Sequence, residues 1–166
     1  MKKRSDVQLT HLNASNQVRM VDVGDKAVTE RSASARAVVT LPIACAAVLK
    51  AGGATRKGNV FEVARLAGIM AAKRTSDLIP LCHQIPLSGV QIEIKLTGKR
   101  VIIASNVRCS GQTGVEMEAL TVASITALTI YDMLKAISHD IVISGIELIS
   151  KDGGRSGNIR RRVAKS

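Results

Sequence analysis

The chain has almost no aromatic side chains. Phe61 and Tyr131 are the sole Phe and Tyr among 166 residues, and Trp is absent. That removes the stacking platform on which single-stranded nucleic acids are usually held, and neither a C2H2 pattern nor an RNP signature is present. The three cysteines, Cys45, Cys82 and Cys109, are scattered, with no Cys-x-x-Cys pair, so neither a zinc site nor a disulfide framework is indicated. No apolar run of membrane-spanning length is evident, and Met1-Lys2-Lys3-Arg4 leads into polar residues rather than a signal-peptide core. These absences predict a reduced, cytoplasmic protein without membrane partners. Proline is scarce too, and two of the three prolines, Pro80 and Pro86, fall in one stretch, Asp77–Ser88.

What is present is aliphatic bulk and positive charge. Apolar residues make up 46% of the chain, enough for one domain's core built from Val, Ile, Leu, Met and Ala. The net charge of +11 points to an anionic partner. Arg155, Arg160, Arg161, Arg162 and Lys165 carry part of it in the last twelve residues, where 158–166 form a basic tail, and a polyphosphate-bearing small molecule accounts for a basic surface as well as nucleic acid does. A nucleic-acid-binding module using that tail is the competing reading. Residues 1–15 are expected to form a disordered arm, and 16–157 a single domain.

Along the chain, Arg36–Thr40 reads as a strand. A helix is predicted from Pro42 to Lys50, stopping at Gly52-Gly53, and another from Val60 to about Thr75, capped by Asn59. Val90, Ile92, Ile94 and Leu96 alternate with polar residues in a half-buried strand, Gly98-Lys99 turns the chain, and Arg100–Arg108 returns. A long helix follows from Val115 or Met117 to Ile137, and a last strand spans Asp140–Ile149. Met20–Val23 is either a short strand or an ordered arm. This order predicts an α+β, ferredoxin-like split βαβ, with helices on one face of an antiparallel sheet. The other face, bare and partly apolar, predicts oligomerisation through the sheet and helix edges.

Four groups carry possible chemistry. Pro80 and Pro86 exclude a helix interior or central strand, so His83 sits in a rigid apolar loop, either as a hydrogen-bonded core histidine or as part of a pocket wall. Glu116-Met117-Glu118 opens the long helix, where carboxylates either favour the dipole or face a ligand. Asp132 and Lys135 share a helix face, as a surface ion pair or a catalytic one. Lys57 and Lys151 lie in glycine-flanked loops suited to phosphate binding or proton transfer, or simply solvated.

Taken together, Leu78–Ser88, Thr113–Thr121 (TGVEMEALT), Ala127–Met133 (ALTIYDM) and Lys151–Gly157 closely resemble the cyclic pyranopterin monophosphate synthase (MoaC) family of molybdenum cofactor biosynthesis, a likeness running from about Leu9 to Gly157. The resemblance implies a lyase that converts 3′,8-cyclo-7,8-dihydro-GTP to cyclic pyranopterin monophosphate with release of pyrophosphate. It implies no redox cofactor, though a divalent metal with the triphosphate is possible, and no metal ligands on the protein. It also implies a homohexamer, a trimer of dimers. Carried over residue by residue, it makes Lys57, Asp132 and Lys135 catalytic. Substrate contacts fall to Leu81, Cys82, His83, Met117 and Glu118, with Asp22 and Glu116 contributing, and Lys151 and Arg31 hold the triphosphate. Cys82 is taken as a packing residue with a useful backbone. Two departures stand out: Gln112 and Arg155 occupy positions where lysine is common. Glu118 and Asp132 are also fourteen residues apart on one helix, about 21 Å at 1.5 Å per residue, so a shared site needs either a long ligand or two chains.

Overall fold

The computed structural model describes Ser15, residues 17–154 and residues 157–161. Its elements run β1 (Thr29–Thr40), α1 (Ile43–Lys50), β2 (Ala54–Thr55), β3 (Gly58–Asn59), α2 (Val60–Ala72), α3 (Thr75–Leu78), β4 (Leu87–Thr97), β5 (Arg100–Gly111), α4 (Glu116–Leu134), β6 (Val142–Asp152) and β7 (Ile159–Arg160). The main sheet has the order β4-β5-β1-β6-β7, every neighbour antiparallel. β1 and β4 are linked through α2, and β5 and β6 through α4, so two split βαβ units interleave in a ferredoxin-like α+β layer.

The core lies between the sheet and the pair α2 and α4. β1 presents Ala33, Ala35, Ala37 and Val39 inward, and in register β5 presents Val107, Ser105, Ile103 and Val101. Against them α4 sets Ala119, Ala123 and Ala127, all fully buried. Small side chains on both surfaces allow a close helix–sheet approach. Ser105 ties the layers by donating to the Ala119 carbonyl at 2.8 Å. Where α2 crosses α4, Gly68 is buried, and a Cβ there would stand 2.3 Å from Thr126 Oγ1.

Local signals explain the boundaries. Asn59 Oδ1 accepts from the amides of Phe61 (3.0 Å) and Glu62 (3.2 Å), capping α2. Gly52 and Gly53, both at positive φ, end α1. The turn at Gly98-Lys99 joins Thr97 to its partner Arg100.

Several expectations are corrected. β1 starts at Thr29, seven residues before the predicted strand, because its inward side chains there are alanines and the alternation is faint. α2 ends at Ala72, with the short α3 following. Of the two alternatives for Met20–Val23, the structure shows the arm, without strand pairing. Part of the basic tail is built into the sheet: Ile159–Arg160 pair with β6, and Arg161 binds Glu147 at 2.7 Å. Arg155, Arg162 and Lys165, and residues 1–14 of the expected arm, lie outside the described residues. α4 does have the length and apolar composition of a membrane span, contrary to the sequence reading, but 56% of its apolar window is buried inside the fold, as in a core helix. The open sheet face is mixed: Ile102 is exposed, yet Glu93, Lys95, Asn106 and Arg36 share it.

Candidate active site

α4 carries chemistry at both ends. At its C-terminal end Asp132 is gripped from two sides: Lys57 Nζ lies 2.9 Å from Oδ2 and Lys135 Nζ 2.7 Å from Oδ1. Lys135 comes from the same helix, three residues on. Lys57 arrives at the tip of the β2–β3 hairpin, where Thr55 Oγ1 donates to the Gly58 carbonyl at 2.8 Å and accepts from the Lys57 amide at 3.2 Å. This lysine is therefore presented by a braced turn, not by a loose glycine loop. Hydrogen bonds from Lys135 and then Lys57 hold the Asp132 carboxyl down at about 2, and Asp132 in turn pushes Lys135 up. Asp132 therefore rests as a carboxylate between its two lysine partners.

At the N-terminal end two chambers adjoin. The smaller, about 310 Å³, is lined by Leu81, Cys82 and His83 from the proline-framed loop, by Met117 and Glu118 of α4, and by Val21 and Val23 of the arm. Glu118 is 3% exposed, and burial pushes its carboxyl up, with Glu116 adding to the effect. Burial, and then Glu118, raise the Cys82 thiol as well, which disfavours the thiolate a nucleophile needs. The larger chamber, about 690 Å³, is lined by Arg31, Gln112, Lys151, Gly153 and Gly154 among others. Lys26, Thr113, Gly114 and Glu116 border both. Lys151 Nζ stands 3.6 Å from Glu116 Oε1.

Predicted residues thus fall into two groups. Leu81, Cys82, His83, Glu116, Met117, Glu118, Arg31 and Lys151 gather at one end, and Lys57, Asp132 and Lys135 at the other. Asp22 lines neither chamber; its Oδ1 accepts from the Gly24 amide at 2.8 Å and shapes a turn. Arg31 spends two donors on the carbonyls of Gly111 (3.0 Å) and Gln112 (3.2 Å). Gly154, at φ +75°, makes room for the Arg31 guanidinium, since a Cβ would stand 2.1 Å from Nη1. Lys26 escaped sequence reasoning because nothing local marks an arm lysine as a pocket residue. Among the described residues no group of three or more His, Cys, Asp or Glu could hold a metal ion.

A basic α+β domain with a lysine–carboxylate–lysine cluster and a two-chambered cleft lined by cations and carboxylates has the make-up of a class: enzymes that process a small molecule. Within that class, the chain belongs to the MoaC family, whose model matches residues 20–154. It is 54% identical over 156 residues, 93% of this chain and 94% of the relative, to a cyclic pyranopterin monophosphate synthase of Chloroflexus aggregans. It is 50% identical over 155 residues, 93% of this chain and 98% of the relative, to the enzyme of that name from Peptoclostridium acidaminophilum.

Proposed function

We propose that this chain is a cyclic pyranopterin monophosphate synthase, a lyase that takes 3′,8-cyclo-7,8-dihydro-GTP to cyclic pyranopterin monophosphate. A ring of the substrate opens, the pyranopterin closes, and a sugar oxygen attacks the α-phosphorus while the α–β bridge breaks and pyrophosphate leaves. The observation that carries this reading is the Lys57–Asp132–Lys135 cluster, assembled from a hairpin tip and α4 in a chain whose relatives bear that enzyme's name.

The chemistry asks for proton transfers and for stabilisation of developing anions. A carboxylate held near 2 is a poor base at neutral pH, so entry of the substrate must first loosen one of its two ion pairs. Substrate oxygens drawing Lys57 away would raise Asp132 toward the range of a working acid or base. Lys57 then stabilises the anion or donates a proton, while Lys135 keeps the charge balance. At the other end Glu118 and His83 read the purine-derived ring. Lys151, released from Glu116, binds the phosphates, with Arg31 in support. No redox cofactor takes part. A divalent cation would travel with the triphosphate, so turnover after dialysis against EDTA should recover on adding Mg²⁺ alone.

Glu118 and Asp132, fourteen residues apart on α4, are separated by about 21 Å at 1.5 Å per residue. One site therefore draws Asp132 and Lys135 from one subunit and the His83 loop and Glu118 from another, within a hexamer built as a trimer of dimers. Supplying the cyclised dihydro-GTP and following pyrophosphate and pterin product tests the reaction; absence of both, with folded protein, defeats it. Mixing Lys135→Ala with Glu118→Ala chains tests the sharing. If mixed oligomers regain no activity while each variant still assembles, the site is not shared.

A further inference from the structure

The arm before β1 forms a wall of both chambers: Val21, Val23 and Lys26 face the smaller one, and Asp25, Lys26 and Ala27 the larger. It has a turn of its own. Asp22 Oδ1 accepts from the Gly24 amide, and the Val23 carbonyl accepts from the Lys26 amide at 3.0 Å. Among the described residues, one side chain joins this turn to the body by hydrogen bonds. Gln112 Nε2 donates to the carbonyls of Gly24 (3.0 Å) and Lys26 (2.9 Å). Among the described residues these are the side-chain hydrogen bonds that tie residues 21–27 to the rest of the domain. Both partners are acceptors, so the amide must turn its NH2 toward the arm and uses both hydrogens there. Gln112 is itself braced, since its main-chain carbonyl accepts from Arg31 Nη2. Strand β1, the end of β5 and the arm are thereby linked in series.

We propose that Gln112 is a positioning residue, a clasp that holds the arm as a wall of the ligand cleft and so sets substrate affinity. It acts through the arm, at a distance from the Lys57–Asp132–Lys135 trio of its own chain, which lies at the other end of α4. The kinetic half of its test rests on the synthase reading; the proteolytic half does not.

The variants are Gln112→Glu, which turns a carboxylate on two carbonyl oxygens and keeps no donor; Gln112→Met, which removes the donors without charge; and Gln112→Lys, whose ammonium can still reach both carbonyls. Two readouts are taken: the rate of tryptic cleavage after Lys26, followed by mass spectrometry, and the KM and kcat for pyrophosphate release from the cyclised dihydro-GTP. Gln112→Glu and Gln112→Met should speed cleavage. They should raise KM about tenfold, the factor carried by about 1.4 kcal/mol and within the range of two neutral hydrogen bonds. The kcat should move less than about threefold, as expected when uniform binding is lost. Gln112→Lys, which gives donors back to the arm, should be cleaved after Lys26 at the native rate. Cleavage at the native rate in both donor-less variants, or a Gln112→Lys chain cleaved after Lys26 as fast as Gln112→Met, overturns the clasp. If the native chain turns over no cyclised dihydro-GTP, the substrate reading falls, and the cleavage rates alone still decide the clasp.

Discussion

Replacing Gly68 by alanine tests the packing that sets the two helices over the sheet. In an ordinary helix interior the change stabilises by about 0.5–1 kcal/mol, because glycine loses more backbone freedom on folding. Here the new Cβ would stand 2.3 Å from Thr126 Oγ1, 2.7 Å from Ile92 Cδ1 and 3.4 Å from Val122 Cγ1. The Ile92 methyl is the tip of a flexible side chain and can rotate. Thr126 is fully buried and β-branched, with little freedom at χ1. So α2 must move away from α4, and overpacking of this kind costs about 1–3 kcal/mol. With the 2.3 Å approach placing the cost near the top of that range, the net loss is about 2 kcal/mol, or roughly 4–8 °C in Tm for a domain of this size. Urea denaturation with Thr126→Ala and the double variant closes a thermodynamic cycle. The alanine at 126 removes the closest atom, so the double variant should lie within about 0.5 kcal/mol of Thr126→Ala alone, with coupling of at least about 1 kcal/mol. If Gly68→Ala is stabilising, or the cycle shows no coupling, the helices are not in the close contact described.

The same threonine offers a second test: among the described residues Thr126 Oγ1 is buried without a hydrogen-bond partner, so isosteric Thr126→Val should stabilise the protein by about 1 kcal/mol in urea. Glu118 is held neutral more readily in the fold than in the unfolded chain; its ionisation therefore costs stability as pH rises above the unfolded value near about 4.3. Glu118→Gln should raise Tm at pH 7, lose that advantage by pH 4, and abolish ring recognition; equal gains at both pH values refute the assignment. Asp132→Asn frees both lysines from their partner and should lower pyrophosphate release by about 10²–10⁴-fold, as for loss of an acid/base group, with Tm little changed because all three side chains are about half exposed.

How much of this was legible in the sequence depended on contrast. β4 could be read because Ile and Val alternate with Gln, Glu and Lys, and the Asn59 cap because an asparagine before an apolar helix has few other uses. The first half of β1 could not, since Ala33 and Ala35 are weak strand formers; they stand there because α4 lies against them, a tertiary cause with no local trace. Asp132 and Lys135 were visible as an i, i+3 pair, whereas Lys57 joins them only once the β2–β3 hairpin folds back on α4. The separation of Glu118 from Asp132 followed from helix rise alone. The clasp by Gln112 was hidden because it links residues 88 and 86 positions apart in the chain, and Arg31's engagement with carbonyls was hidden for the same reason.

β7 gives the C-terminal segment a duty unrelated to its charge. The outer side of β6 is a row of main-chain donors and acceptors, and Ile159 and Arg160 occupy it opposite Lys151 and Ser150, while the Arg161 amide donates to the Ile149 carbonyl at 2.8 Å. Glu147, bonded to Arg36 and to Arg161, rivets that cover in place. A chain cut after Gly157 would lose this cover of the end of β6 as well as its cations, and would lengthen the stretch of β6 edge open to pairing with other chains. Loss of solubility after such a cut would then reflect an unguarded edge, and a truncation meant to probe the basic residues alone has to begin beyond Arg161.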